Sequence, residues 1–406
     1  HGRNVAVGYN ALTTQDAGSD AYNVAVGYNA GIAVTTGIQN TIVGGLAGDS
    51  LTSGVNNVAL GYQSLTVATT SSFNVSIGTF SMANNILAAR NVGVGYNTLN
   101  QLNTGSATDT YNTAVGFSAG GTLTTGVQNT LIGGLAGDAL TTGSHNVAIG
   151  VSALSAEDGN GRNVAIGHSA LASQNAGADA YNVAIGYVAG GAVTTGAQNT
   201  LIGGLAGDAL TEGDKNIAIG YQSLSSETLG DRNVAIGTGA LAAQNNTSNL
   251  DVYNTAVGYN AGNDITTGIQ NTIVGGLAGD ALTTGSDNVA LGYAALSQED
   301  TGGRSVAIGR SALGSQNNDA SNYNVAIGYN SGVSVTTGVL NTLVGGLAGD
   351  ALTSGARNVA IGYLALSTED GHGRNIAIGN GALQNQNAGS DAYNVAIGYE
   401  AGNDIT

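Results

Sequence analysis

The chain has 406 residues and a formal charge of −17, with 67 Gly, no Pro, no Cys, no Trp and only nine Lys and Arg. So few cations exclude the clustered Lys and Arg that phosphate recognition needs, and with them nucleic acid and anionic membrane surfaces as partners. The lack of Cys excludes disulfides and thiolate metal sites. No apolar run reaches membrane-spanning length, and 42% hydrophobic residues is too apolar for a disordered linker.

The first element, Asn4-Val-Ala-Val-Gly8, recurs to the end of the chain. It starts at Asn4, Asn23, Asn40, Asn57, Asn74, Asn91, Asn112, Asn129, Asn146, Asn163, Asn182 and Asn199. It continues at Asn216, Asn233, Asn254, Asn271, Asn288, Ser305, Asn324, Asn341, Asn358, Asn375 and Asn394, which makes 23 units with one Ser for Asn. Sixteen of the 22 intervals are 17 residues, four are 19 and two are 21. The second residue is always Val, Thr or Ile, the fourth Val, Ile or Leu, and the fifth Gly.

Alternating β-branched residues predict a short strand, and the Gly a turn or a close backbone approach. A small residue three positions later, as at Ala11, Ala153 and Ala382, predicts a second short strand. Strand, turn, strand and turn in 17 residues make one coil of a solenoid. The expected fold is therefore all-β: a β-solenoid, or parallel β-roll, of about 23 coils running as one continuous array over 1–406. At about 4.8 Å per coil its length is on the order of 110 Å. Stacking places Asn40, Asn129, Asn146, Asn163, Asn199, Asn216, Asn271, Asn341 and Asn358 in one column, where buried carboxamides can hydrogen-bond from coil to coil. The missing Pro fits a ladder that needs every N–H.

A longer rhythm overlies the coil. "GGLAGD" at 44, 133, 203, 275 and 345 divides the chain into four alternating coil types, with one extra coil between 57 and 90. The type beginning at Asn4, Asn91, Asn163, Asn233, Ser305 and Asn375 carries every length irregularity. It ends in a polar loop closed by Tyr22, Tyr111, Tyr181, Tyr253, Tyr323 or Tyr393. These Tyr either stack on sugar rings of a surface ligand or cover the corner where the loop re-enters the coil.

The second and fourth residues share one strand face and are expected to fill the core. The opposite face carries Ala, replaced in the "GGLAGD" coils by Ile42, Leu131, Leu201, Ile273 and Leu343. An apolar stripe on an outward face is read as an oligomer face, most simply of a parallel trimer. The alternative is that this stripe packs inside a wider single-chain coil.

No arrangement of nucleophile, base and orienting partner recurs, and His1, His145, His168 and His372 fall at unrelated places, so neither an enzyme nor a cofactor is expected. "GGLAGD" departs from the calcium-binding nonapeptide, and Asp49, Asp138, Asp208, Asp280 and Asp350 lie at least four coils apart, which leaves turn capping as their role. Arg3, Arg90, Arg162, Arg232, Arg304 and Arg374 each precede a long-loop coil. They are expected to pair with acids such as Glu157 and Asp158 in the preceding turn, or to bridge chains. "TTG" occurs in half of the coil types only, short of a continuous ice-binding Thr array.

"NVAIG" at 163–167 and "SVAIG" at 305–309 resemble the head repeats of trimeric autotransporter adhesins. "NTAVGYNAG" at 254–262 and "NVAVGYNAL" at 4–12 resemble the shaft repeats of phage and bacterial tail-fibre-type proteins. The resemblance implies a left-handed parallel β-roll, three chains side by side, and an extracellular, cell-surface or virion location. It implies a non-catalytic structural or adhesive fibre shaft that associates with itself and carries attachment to a cell-surface glycan or protein receptor. The unit of 17 is longer than the usual adhesin coil. Both ends fall inside the repeat, so the expectation is a window cut from a longer fibre; the alternative is a filament whose subunits stack end to end.

Overall fold

The computed structural model describes residues 2–405, so that His1 lies outside the described residues. The chain forms two compact units, residues 1–199 and 200–406. Both are all-β, with no helix among the described residues, and each is a parallel β-solenoid of roughly 17 residues per turn, about 23 turns in all.

Each turn contributes one three-residue strand, made of the second to fourth residues of the repeat: Val24–Val26, Thr130–Ile132 and Val164–Ile166 in the first unit, Ile217–Ile219 and Thr272–Val274 in the second. Neighbouring strands pair parallel, each residue opposite its counterpart one turn on, as in Val147↔Val164 and Thr272↔Val289. The register survives the longer intervals: Val164 still faces Val183, and Val234 faces Thr255. Additional residues are therefore absorbed in the loops. A two-stranded satellite pairs Ala88–Ala89 with Thr108–Asp109 in the irregular region.

The second strand expected after the Gly does not form. That segment is a run of tight turns whose N–H groups alternate between partners. Asn29 N–H donates to the preceding turn at Tyr9, Ala30 to its own Gly27, Gly31 to the next turn at Ala47, Ile32 to its own Asn29, and Ala33 to the next turn at Asp49. The alternation is made by left-handed residues two and four positions after the Gly, such as Asn10 (φ 57°) and Leu12 (φ 52°). Each costs about 1 kcal/mol for a residue with a Cβ and persists because the hydrogen bonds above and below fix it. Ala153 and Leu154 are consecutive and both buried, which a strand does not allow.

The repeat Gly itself admits no substitute. Gly27 has φ 142°, and a Cβ there would sit 2.5 Å from the carbonyl oxygen of Gly44 in the next turn. Adjacent turns approach backbone to backbone at this corner.

Burial reverses the expected strand faces. In all but the first three-residue strand the middle residue is buried, while the second and fourth residues of the repeat are half-buried or exposed. The stripe read as an oligomer face, Ile42, Leu131, Leu201, Ile273 and Leu343, is fully buried inside the coil. Its larger residues compensate glycines. Gly120 and Gly137 stand where other turns place a Leu, and the Leu131 methyls fill the space, so that a Cβ on either Gly would lie 2.7–2.8 Å from them. Ile42 does the same over Gly31 and Gly48, Ile273 over Gly262 and Gly279, and Leu343 over Gly332 and Gly349. Where the Leu is present, as at Leu154, the strand carries Ala148 instead. The interior is narrow and keeps its volume by exchanging large and small residues between its two walls.

Candidate functional site

Asn129 is fully enclosed and uses its whole carboxamide. Its Nδ2 donates across the coil to the Gly143 carbonyl at 2.9 Å, and its Oδ1 accepts the Asn146 N–H of the next turn at 2.9 Å. The same two bonds recur at Asn40 (to Gly54 O and from Asn57 N–H), Asn216 (Gly230 O, Asn233 N–H), Asn271 (Gly285 O, Asn288 N–H) and Asn341 (Gly355 O, Asn358 N–H). Asn146 accepts from Asn163 N–H, Asn358 accepts from Asn375 N–H, and Asn199 N–H donates to Asn182. One bond closes the coil and the other ties it to its neighbour.

The column has irregular steps at the long-loop turns. Asn163 Nδ2 and Asn233 Oδ1 have no partner within the protein, and Ser305 reaches only Gln316, whose Nε2 donates to its Oγ at 2.9 Å. Here the core holds polar groups that the sequence reading missed. Glu157, Glu227, Glu299 and Glu369 are fully buried. They stand eleven residues after the repeat Asn, where most turns have Leu, Val or Ile. Each precedes a long-loop turn that carries Gln174, Gln244, Gln316 or Gln386 at the same place. Gln244 Nε2 donates to Glu227 at 2.8 Å, Gln316 to Glu299 at 2.8 Å and Gln386 to Glu369 at 3.1 Å. Glu227 also accepts the N–H groups of Thr228, Leu229 and Gly230, and both the N–H and the side-chain amide of Asn246 in the long loop. The carboxylate thus anchors the loop from below. Glu157 lacks the Gln contact, its Oε2 is unpartnered in the protein, and burial raises its pKa. An acid or amide in an aliphatic column was the available signal.

The residue before each repeat Asn is left-handed throughout, from Arg3 to Tyr393. At the long-loop turns this column brings Arg and Tyr together. Arg3 pairs with Asp20 at 3.1 Å, Arg90 with Asp109 at 2.8 Å, Arg162 with Asp179 at 2.6 Å, and Arg232 and Arg374 with Asp251 and Asp391. These acids belong to the following loop. Of the partners expected in the preceding turn, Glu157 is taken into the core. Only Arg304 reaches backwards, to Asp287 at 3.5 Å, and it also donates to Ser321 and Tyr323.

Each Arg also lies over the Tyr that closes its loop. The guanidinium carbon is 5.4–5.9 Å from the ring centroids of Tyr22, Tyr111, Tyr181, Tyr253, Tyr323 and Tyr393. Arg162 and Arg232 donate to the hydroxyls of Tyr181 and Tyr253 at 2.7 and 3.2 Å. One face of each ring is covered by its own Arg and about half of the residue is exposed.

The outward strand face is uncharged and mostly apolar, with Thr at the second position of seven repeats. No charged residue occupies the second or fourth position of any repeat. Ile132, Ile185, Ile327 and Ile361 are each 36–37% exposed. Beside them runs an exposed column just after the Gly, which includes Tyr28, Tyr62, Tyr187, Tyr221, Tyr259, Tyr293, Tyr329 and Tyr363. Tyr9 stacks on Tyr28 at 5.6 Å and Tyr96 on Phe117 at 5.4 Å, while Arg310 sits between Tyr293 and Tyr329 at 5.9 and 6.0 Å.

The "GGLAGD" aspartates Asp49, Asp138, Asp208, Asp280 and Asp350 each bury one carboxylate oxygen without a partner in the protein. Burial raises the pKa of all five. Glu369, Asp370 and His372 are the group, among the described residues, whose donor atoms lie close enough to share a metal, within 4.8 Å. Glu369 is already used by His372 N–H, Gln386 and Ala388 N–H, which leaves its carboxylate little capacity for an ion. No helix among the described residues is long and apolar enough to cross a membrane. No protein-family model matches the sequence, and none of the curated proteins compared with it is significantly similar.

Proposed function

We propose that this chain is a non-catalytic shaft of an extracellular or virion fibre, and that copies associate side by side, in parallel, through the outward strand face. The observation that supports this reading is the uncharged strip formed by the second and fourth residues of every repeat, Val, Ile or Leu apart from seven Thr, flanked by the aromatic column. A strip about 13 Å wide rising about 4.8 Å per turn amounts to about 60 Å² per turn. The eleven three-residue strands of the first unit, or the twelve of the second, then offer roughly 700 Å² per copy. That is close to the roughly 800 Å² per partner of a stable interface. Water on such a face is displaced favourably at about 25 cal/mol per Å².

Association through this face replaces the assignment to Ile42, Leu131, Leu201, Ile273 and Leu343. Sedimentation equilibrium of the intact protein is expected to give a trimer. Glu replacements at Ile132, Ile185, Ile327 and Ile361 are expected to give monomers that keep their β signal in circular dichroism. A wild-type protein that sediments as a soluble monomer at micromolar concentration rules the reading out. Particles of fixed width and variable length in electron micrographs would favour the end-to-end filament instead.

A further inference from the structure

We propose that the grooves beside Arg304 and Arg90 bind uncharged saccharides. The proposal rests on the reading of the chain as a shaft that carries attachment, and names the ligand class that the shaft would take. The groove beside Arg304 has a volume of about 210 Å³, and its walls come from three successive turns. Thr284 and Ser286 line the first, Thr301 and Arg304 the second, and Asp319 and Ser321 of the long loop the third. Hydroxyls and carboxylate oxygens dominate this lining, and the groove has no large apolar side chain to anchor a peptide.

The polar groups are held in place before any ligand arrives. Thr301 Oγ1 donates to Asp319 at 2.9 Å, and Arg304 donates to Ser321 at 2.8 Å. Such a fixed set of carboxylate acceptors and guanidinium and hydroxyl donors suits the vicinal hydroxyls of a sugar ring, each of which both donates and accepts. The Arg304 charge is balanced by Asp287, and the groove gains a further negative charge from Asp319. An anionic sugar therefore finds no unpaired cation, which selects uncharged ligands.

The second groove, about 510 Å³, adds the element the first lacks. It sets Thr70, Ser72 and Thr108 beside Phe73, which is 46% exposed and has one ring face covered by the Arg90 guanidinium at 4.7 Å, while the Arg90 charge is balanced by Asp109. Hydroxyls beside an aromatic face match the two sides of a pyranose, one polar and one formed by C–H groups. The place of Asp287 is taken by His145, Lys215 and Arg357 in other repeats, so the Arg304 groove has a charge of its own while the Arg beside it is constant.

The test is a printed array of neutral and anionic oligosaccharides probed with the intact protein. A second arm uses a variant combining Thr70→Ala, Thr108→Ala, Asp319→Ala and Ser321→Ala. Retention of neutral oligosaccharides by the wild type, weakened at least tenfold in the variant with an unchanged melting temperature, is the expected result. A variant that melts earlier is replaced by the pairs Thr70→Ala/Thr108→Ala and Asp319→Ala/Ser321→Ala, each expected to weaken retention severalfold. No neutral oligosaccharide retained, retention confined to anionic ones, or variants that bind like the wild type would overturn the proposal. A trimer in sedimentation would stand through any of these outcomes, so the failure of the ligand and the failure of the shaft are separable.

Discussion

A carboxamide is needed at the first position of the repeat because two different bonds converge there, one requiring a donor and the other an acceptor. Truncation of Asn271 leaves the Gly285 carbonyl and the Asn288 N–H without their partners in a dry core. Asn271→Ala is therefore expected to cost roughly 2–6 kcal/mol, at about 1–3 kcal/mol for each of the two orphaned groups. Asn271→Asp restores only the acceptor and sets a carboxylate against the Gly285 carbonyl. Urea titration followed by circular dichroism would check this, and an Asn271→Asp midpoint equal to wild type would refute the two-bond account. Ser305 shows why the natural exception is local. Its hydroxyl is met by Gln316 of the same turn, whereas the turn of Asn271 has Leu282 at that place. The buried Glu follow the same logic from the other side. Glu227 is surrounded by enough N–H groups to be tolerated in an otherwise aliphatic column, and those groups are the ones that hold the loop.

At the level of the single turn, the walls of the coil are coupled by volume. Leu131→Ala is expected to cost about 3–4 kcal/mol through the cavity it opens over Gly120 and Gly137. Gly120→Ala alone is expected to be destabilising too, since its φ of 57° is left-handed and its Cβ would press on Leu131. In the Leu131→Ala background the tightest contact is gone, and the backbone strain and a 3.0 Å approach to Leu99 remain. Gly120→Ala should then cost 1–2 kcal/mol less than in the wild type, measured as a double-mutant cycle in urea. Additive costs would show that the two walls do not share the space.

The same coupling explains what could be read before the structure. The period, the parallel register and the Asn column follow from Asn, β-branched residue and Gly recurring at fixed spacing, because every turn must match its neighbours. The strand faces could not be read in the same way. Val164, Ala165 and Ile166 alternate under either orientation, and β-branched residues are ordinarily placed inside. A coil of 17 residues encloses so little space that the middle strand residue is small beside a Leu, and Ile or Leu fits only where two consecutive turns place Gly on the facing wall. The pairing of Leu131 with Gly120 and Gly137 was visible as a covariation between coil types, and it marks that face as interior. The turn geometry was hidden because left-handed Leu12 or Leu154 carries no local sequence signal: only hydrogen bonds to the turns above and below hold such residues there.

Across the whole molecule, repetition multiplies small electrostatic effects. Asp49, Asp138, Asp208, Asp280 and Asp350 titrate above the ordinary value of 3.8, and Glu157 above 4.5, in each case because burial penalises the charged form. The folded protein therefore binds these protons more readily than the unfolded chain does. Their contribution to stability is complete below the unfolded values and is lost as pH rises through the folded ones. Acidification from pH 7 towards pH 4.5 should thus raise the urea midpoint as far as these unpaired carboxylates are concerned. Relief of self-repulsion in a chain of charge −17 acts in the same direction. Replacing the five aspartates by Asn separates the two effects, because it removes the repeated titrating groups while leaving most of the net charge. The variant is expected to be more stable than the wild type at pH 7 and to gain less on acidification. The check is a pair of urea titrations at pH 7 and pH 4.5 for each protein. Equal gains in wild type and variant would show that the buried aspartate oxygens do not carry the pH dependence, and that the overall charge alone does.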